Sequence, residues 1–113
     1  MRRESLALDT AFDLCRNRRR RALLTLLADR DRQVTVQDLA KDLAVRERDG
    51  PITEVPGEIV TEIHTMLYHV HLPKLSAAKV VDYDHERGHV ALTSRGTELE
   101  ATLRAIGELE PPT

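Results

Sequence analysis

A chain of 113 residues is long enough for one hydrophobic core and too short for two, so a single domain over residues 1–113 is expected. No apolar run reaches the roughly 18 to 20 residues that span a bilayer, and Met1-Arg2-Arg3-Glu4 leads into no signal-peptide core, which excludes a membrane partner. The formal net charge is −2, and the one cysteine, Cys15, excludes a disulfide framework and suits a reducing cytoplasm.

The charge is unevenly spread. Residues 1–32 hold nine Arg against five acids, residues 33–72 three bases against seven acids, and residues 73–113 five bases against seven acids. Only Lys41, Lys74 and Lys79 among the 17 basic residues are lysines, an Arg bias that hints at a GC-rich, salt-adapted source. With one Phe, two Tyr and no Trp, the core must be built from Leu, Val, Ile and Ala, and a second copy would help to stabilise it.

Leu8, Ala11, Phe12 and Cys15 stand at helical spacing and predict a short amphipathic segment that ends near Asn17. Asn17 is a good N-cap for a second helix over Arg18 to Ala28, with Leu23, Leu24, Leu26 and Leu27 on its buried side. A polar break follows. Thr35, three residues before Asp38, then starts a helix carrying Val36, Leu39, Ala40, Leu43 and Ala44 on one face. Asp49-Gly50-Pro51 and Pro56-Gly57 leave residues 49–57 as a connection longer than a tight interhelical turn.

The organising stretch is Ile59 to Leu75. Ile59, Ile63, Met66, Leu67 and Val70 form one apolar stripe, expected to be buried. Glu58, Thr61, Glu62, Thr65, Tyr68 and His69 lie opposite and are expected to face outward. Pro73 should stop the helix near His71. Val80 to Tyr83 reads as a strand, residues 84–88 as a hairpin loop with Gly88 at a positive φ, and His89 to Thr93 as the returning strand. Thr93 or Ser94 can cap a last helix over about residues 98–109, whose narrow stripe Leu99, Leu103 and Ile106 reads as a dimerisation surface. The core is expected over about residues 8–97, and residues 110–113 as a disordered tail.

The expected fold class is therefore mainly α with a two-stranded β-wing, a winged helix-turn-helix. His71-Leu72-Pro73-Lys74-Leu75, Val80-Val81-Asp82-Tyr83 and Val90-Ala91-Leu92-Thr93-Ser94-Arg95-Gly96 resemble the recognition-helix end, wing strands and LT-x-x-G lead-in to the last helix of ArsR-like and MarR-like repressors. Asn17-Arg18-Arg19-Arg20-Arg21, Leu67 to Leu75 and Val81 to Asp84 resemble, more narrowly, a family of small haloarchaeal winged-helix proteins. The resemblance covers about residues 10–97 and implies DNA binding. Lys79 departs from it, standing where such sequences commonly carry Gly.

Duplex DNA as partner needs hydrogen-bonding groups on an element that fits the major groove, flanked by cations for phosphate. Thr61, Thr65, Tyr68 and His69 are the candidate reading residues, with Lys74, Arg87, Arg18 and Arg19 as flanking charge. Glu54, Glu58 and Glu62 oppose this, because carboxylates repel phosphate. That acidity supports the alternative of a protein-interaction module. The Arg18–Arg21 run starts a helix, where cations work against the macrodipole, and such runs are often just acid-paired surface. Among His64, His69, His71, His85 and His89 no i, i+4 pair falls within one predicted helix, since His85 and His89 flank the hairpin loop, so no metal site is expected. Neither a catalytic motif nor a cofactor-binding loop is present, so no enzyme activity and no cofactor is expected.

Overall fold

The side chain of Asn17 accepts a hydrogen bond from the Arg20 amide at 3.1 Å and so divides the N-terminal region into two helices, α1 (Leu8–Cys15) and α2 (Arg18–Asp29). The computed structural model describes residues 8–30, 32–105 and 107. The guanidinium of Arg20, itself buried, donates from Nε to Leu14 O at 2.9 Å and from Nη2 to Asp13 O at 3.0 Å, while Arg21 Nη1 donates to Cys15 O. These are carbonyls that the end of a helix leaves without intrahelical partners. Leu14, at the same end, is the α1 residue buried in the core, whereas Phe12, expected on the inner side, is 63% exposed.

The described chain folds as an α+β unit, mostly helical with one small antiparallel sheet. After α2 come β1 (Val34–Thr35) and α3 (Val36–Arg48). Thr35 ends the strand and caps the helix, its Oγ1 accepting from the Asp38 amide at 3.0 Å. The sheet has three strands in the order β1-β3-β2, with β2 at Val81–Asp84 and β3 at His89–Leu92. The expected two-stranded hairpin is β2–β3, and β1 joins it as a third strand, with Val34 paired to Val90 and Thr35 to His89; a two-residue strand is too short to show an alternating pattern in sequence. Tyr83 pairs with Val90 and Asp84 with His89, and the turn between them closes through Gly88 at φ +68.

Residues 49–57 are also more ordered than a plain connection. Asp49, at φ +54, ends α3, and Ile52–Glu54 forms a turn of 3₁₀ helix before α4 (Gly57–Met66). The helix does not stop near His71. It passes through a π turn, Leu67–His71, whose closing amide, Leu72 N–H, donates to Leu67 O, and continues as α5 (Leu72–Ala77). Pro73 follows directly on the π turn, as the second residue of α5.

The π turn admits one extra residue. Buried positions run Ile63, Leu67, His71, Leu72, Leu75, so the spacing changes after Leu67 from i+3, i+4 to i+4, i+5. Val70, expected inside, is 40% exposed, and Met66 is 36% exposed. The core thus gathers Leu23, Leu24 and Leu27 of α2, Leu39 and Leu43 of α3, Ile63 and Leu67, and Leu72 and Leu75 of α5.

Helix α6 (Ser94–Ala105) closes the unit. Thr93 Oγ1 accepts from the Gly96 amide at 3.0 Å and donates its one proton between Lys79 O at 2.7 Å and Val80 O at 3.0 Å. The expected dimerisation stripe is corrected here: Leu103 is buried in the chain's own core and Leu99 packs against it, because α6 lies across α2. Ile106 and the tail 110–113 lie outside the described residues. Among the described residues no helix is long and apolar enough to cross a membrane.

Candidate nucleic-acid interface

The face of α4 away from the core presents Thr61 and Thr65 as exposed side chains. Each hydroxyl donates one turn back, Thr61 to Gly57 O at 3.1 Å and Thr65 to Thr61 O at 2.9 Å, which leaves oxygen lone pairs turned outward as acceptors. His69 is exposed, while Tyr68 is half-buried because its ring turns toward the hairpin. Its hydroxyl lies 3.2 Å from His85 Nδ1 and 3.3 Å from His85 O, and the two rings are 4.4 Å apart.

His64 stacks on Tyr68 at 6.1 Å, and Tyr83 meets both Tyr68 and His85 edge-on at 6.3 and 5.7 Å. The Tyr83 hydroxyl is buried without a hydrogen-bond partner, and burial pushes its phenol up. This ring cluster joins helix to hairpin and was missed from sequence. His64 and Tyr68 at i, i+4, with Tyr83 and His85 at i, i+2, were the signal available.

The hairpin loop is shaped by Asp84, whose Oδ1 accepts from the amides of Glu86 and Arg87, each at 3.1 Å. Arg87 projects from that loop with its side chain 77% exposed and only a 3.8 Å approach to Asp84. His89 Nδ1 sits 2.9 Å from Gln33 Nε2, across the β1–β3 pair. Among the described residues no group of three His, Cys, Asp or Glu side chains gathers as a metal site.

The other expected cations are placed elsewhere. Lys74 pairs with Asp13 at 3.0 Å, and this bond holds the Asp13 carboxyl below its usual range. Arg19 grips Glu47 of α3 at two points, 2.7 and 2.8 Å, a fork that raises its own pKa. Arg18 is exposed beside it. So Thr61, Thr65, Tyr68 and His69 share α4 and the π turn, with the loop that carries Arg87 docked against Tyr68, while Arg18, Arg19 and Lys74 flank other elements. Glu58 and Glu62 are exposed on α4. Glu58, in the first turn, complements the positive end of the helix dipole.

A family model described as a domain of unknown function, DUF7344, matches residues 12–91, which run from α1 through most of β3. No curated protein and no solved structure matches the chain.

Proposed function

We propose that this chain, which belongs to the DUF7344 family, is a cytoplasmic DNA-binding transcriptional regulator of the winged-helix kind, akin to the haloarchaeal proteins it resembles. In this reading α4 enters the major groove and the β2–β3 hairpin is the wing. The observation that carries it is the Tyr68–His85 contact, which fixes a helix with an exposed hydrogen-bonding face and a hairpin with an exposed arginine as one surface. Helix reads bases and wing touches phosphate; both must be held in register for either to count.

Thr61, Thr65 and His69 offer groups for base edges, and Glu62 can accept from cytosine N4, the one base donor that favours a carboxylate. Arg87 meets the backbone. Two copies on adjacent half-sites belong to the same reading; with Leu103 committed to the core, sedimentation equilibrium decides this rather than the α6 stripe. A second reading, a protein-interaction module, is favoured by the exposure of Glu58 and Glu62 on the groove-facing helix and of Glu54 in the turn before it.

The test is duplex affinity as a function of salt, from low ionic strength to molar potassium chloride. A steep fall with salt is expected from released counterions. Arg87→Glu should weaken binding to all sequences and reduce the salt slope by about 1. Thr65→Glu should cost about 1–3 kcal/mol of affinity. Unchanged binding in both variants overturns this geometry, and no binding at any salt where the chain is folded turns the search to a protein partner.

A further inference from the structure

On the flank of α4 away from the hairpin, between the first turns of α2, the end of α3 and the π turn, lies a cavity of about 650 Å³. That volume is within the range of roughly 300 to 1,000 Å³ found for small-molecule sites. Its lining has two characters. One wall holds the arginines of α2, Arg18 to Arg21, and Arg46 of α3, against a single carboxylate, Glu47. Arg20 and Arg21 spend their hydrogen bonds on neutral main-chain carbonyls, which hold the guanidinium groups still without cancelling their charge. The other wall is apolar, formed by Met66 and Val70, two of the large hydrophobic side chains that stay exposed.

His71 also borders the cavity. It is 2% exposed, and its Nδ1 has no hydrogen-bond partner. Burial, helped by the neighbouring charges of Arg20 and Arg19, pushes its pKa down to about 4. The π turn is what turns Val70 outward onto this cavity while taking His71 in.

We propose that this cavity binds a small organic carboxylate, its apolar body seated on Met66 and Val70 and its carboxylate held by the guanidinium groups of α2. The Arg19–Glu47 fork displays the recognition mode within the wall itself, since a planar guanidinium meets a carboxylate at two points. An inorganic anion would leave the apolar wall unused, and an uncharged apolar molecule would make no charge-assisted bond to the guanidinium groups. The site adjoins the DNA-reading face of α4, where Glu62 lies one turn before Met66 and acts electrostatically on Arg19, but its lining shares none of Thr61, Thr65, Tyr68 and His69.

The probe is hexanoate, titrated into the full chain and followed by the Met66 methyl and His71 ring resonances, with hexanamide and inorganic phosphate as controls. Saturating shifts at both residues with a Kd of about 1 mM or tighter are expected for hexanoate. Binding should be at least about tenfold weaker for the amide, which loses the charge-assisted bonds, and for phosphate, which loses the apolar contact. Val70→Glu, at an exposed position, should abolish the hexanoate shifts while its spectrum stays dispersed. The proposal is overturned if hexanamide or phosphate binds as tightly as hexanoate, if hexanoate shifts neither residue, or if duplex DNA displaces it, which would assign these arginines to the nucleic-acid backbone. Because the controls use the unaltered chain, a misfolded variant does not leave the outcome open.

Discussion

Replacing Gly96 by Ala tests the packing of α6 most directly. A Cβ built at this position stands 2.8 Å from Leu92 Cδ2 and 3.1 Å from the Val80 carbonyl carbon, and closer still to the Val80 oxygen. The leucine methyl can rotate away, but the backbone oxygen cannot: it accepts from the Thr93 amide at 3.1 Å and from Thr93 Oγ1 at 3.0 Å. Relief therefore requires α6 to move off the β2 end by on the order of 1 Å, an overpacking displacement of the kind that costs about 1–3 kcal/mol. Weakening the two hydrogen bonds adds about 0.5–1.5 kcal/mol each. Alanine regains about 1 kcal/mol of helix propensity over glycine, so the net loss is about 1–5 kcal/mol. For a domain of this size, at about 4 °C per kcal/mol, that lowers Tm by roughly 4–20 °C. Thermal unfolding by circular dichroism reads it, and a variant melting within about 3 °C of the parent would refute the reasoning, since the compensation from propensity alone cannot hide such a clash.

Two further outcomes are expected. Lys79 holds φ +62, a conformation that strains a residue with a Cβ, so Lys79→Gly should raise stability by about 1 kcal/mol despite the greater freedom of the unfolded chain; a lower denaturation midpoint would argue that the lysine side chain contributes more than the strain costs. Burial, helped by Arg20 and Arg19, pushes His71 down from 6.5 to about 4. The unfolded chain therefore takes up a proton near pH 6.5 that the folded chain refuses, and stability, complete above that pH, should fall between 6.5 and 4 by up to about 3 kcal/mol. His71→Leu should flatten the profile in that window, and an unchanged slope would mean the imidazole is not the group responsible.

Much of the helix pattern was legible because capping chemistry is local. Asn17 and Thr35 announce α2 and α3 within three residues of each start, and Thr93 does the same for α6. Gly88 announces the hairpin loop. What escaped depends on partners distant in sequence. Two-residue β1 exists only through Val90 and His89, and the π turn exists because Leu72 and Leu75, rather than Val70, find the core. A helical wheel drawn at constant pitch turns Val70 inward beside His71, whereas the π turn leaves Val70 outside and brings Leu72 into the core.

The candidate site was legible in part for the same reason. Thr61 and Thr65 lie before the π turn and keep the face that constant pitch gives them. Tyr68 lies within the turn and bends to the hairpin, a contact that no single-helix pattern encodes. The arginine run was visible as charge, but its division into a fork on Glu47 and two grips on carbonyls needed α1 and α3 in place. Leu103 was read as surface because its stripe is narrow; α2 supplies the missing width.

The grip of Arg20 and Arg21 on α1 has an evolutionary side. A contact made through side chains restricts both partners, whereas every residue type offers the same carbonyl. The constraint of joining α1 to α2 therefore falls on the two arginines and on Leu14 beneath them, and substitution on the outer positions of α1 is free to follow whatever environment the protein meets. One helix is thus anchored by the part of the chain that mutation does not alter.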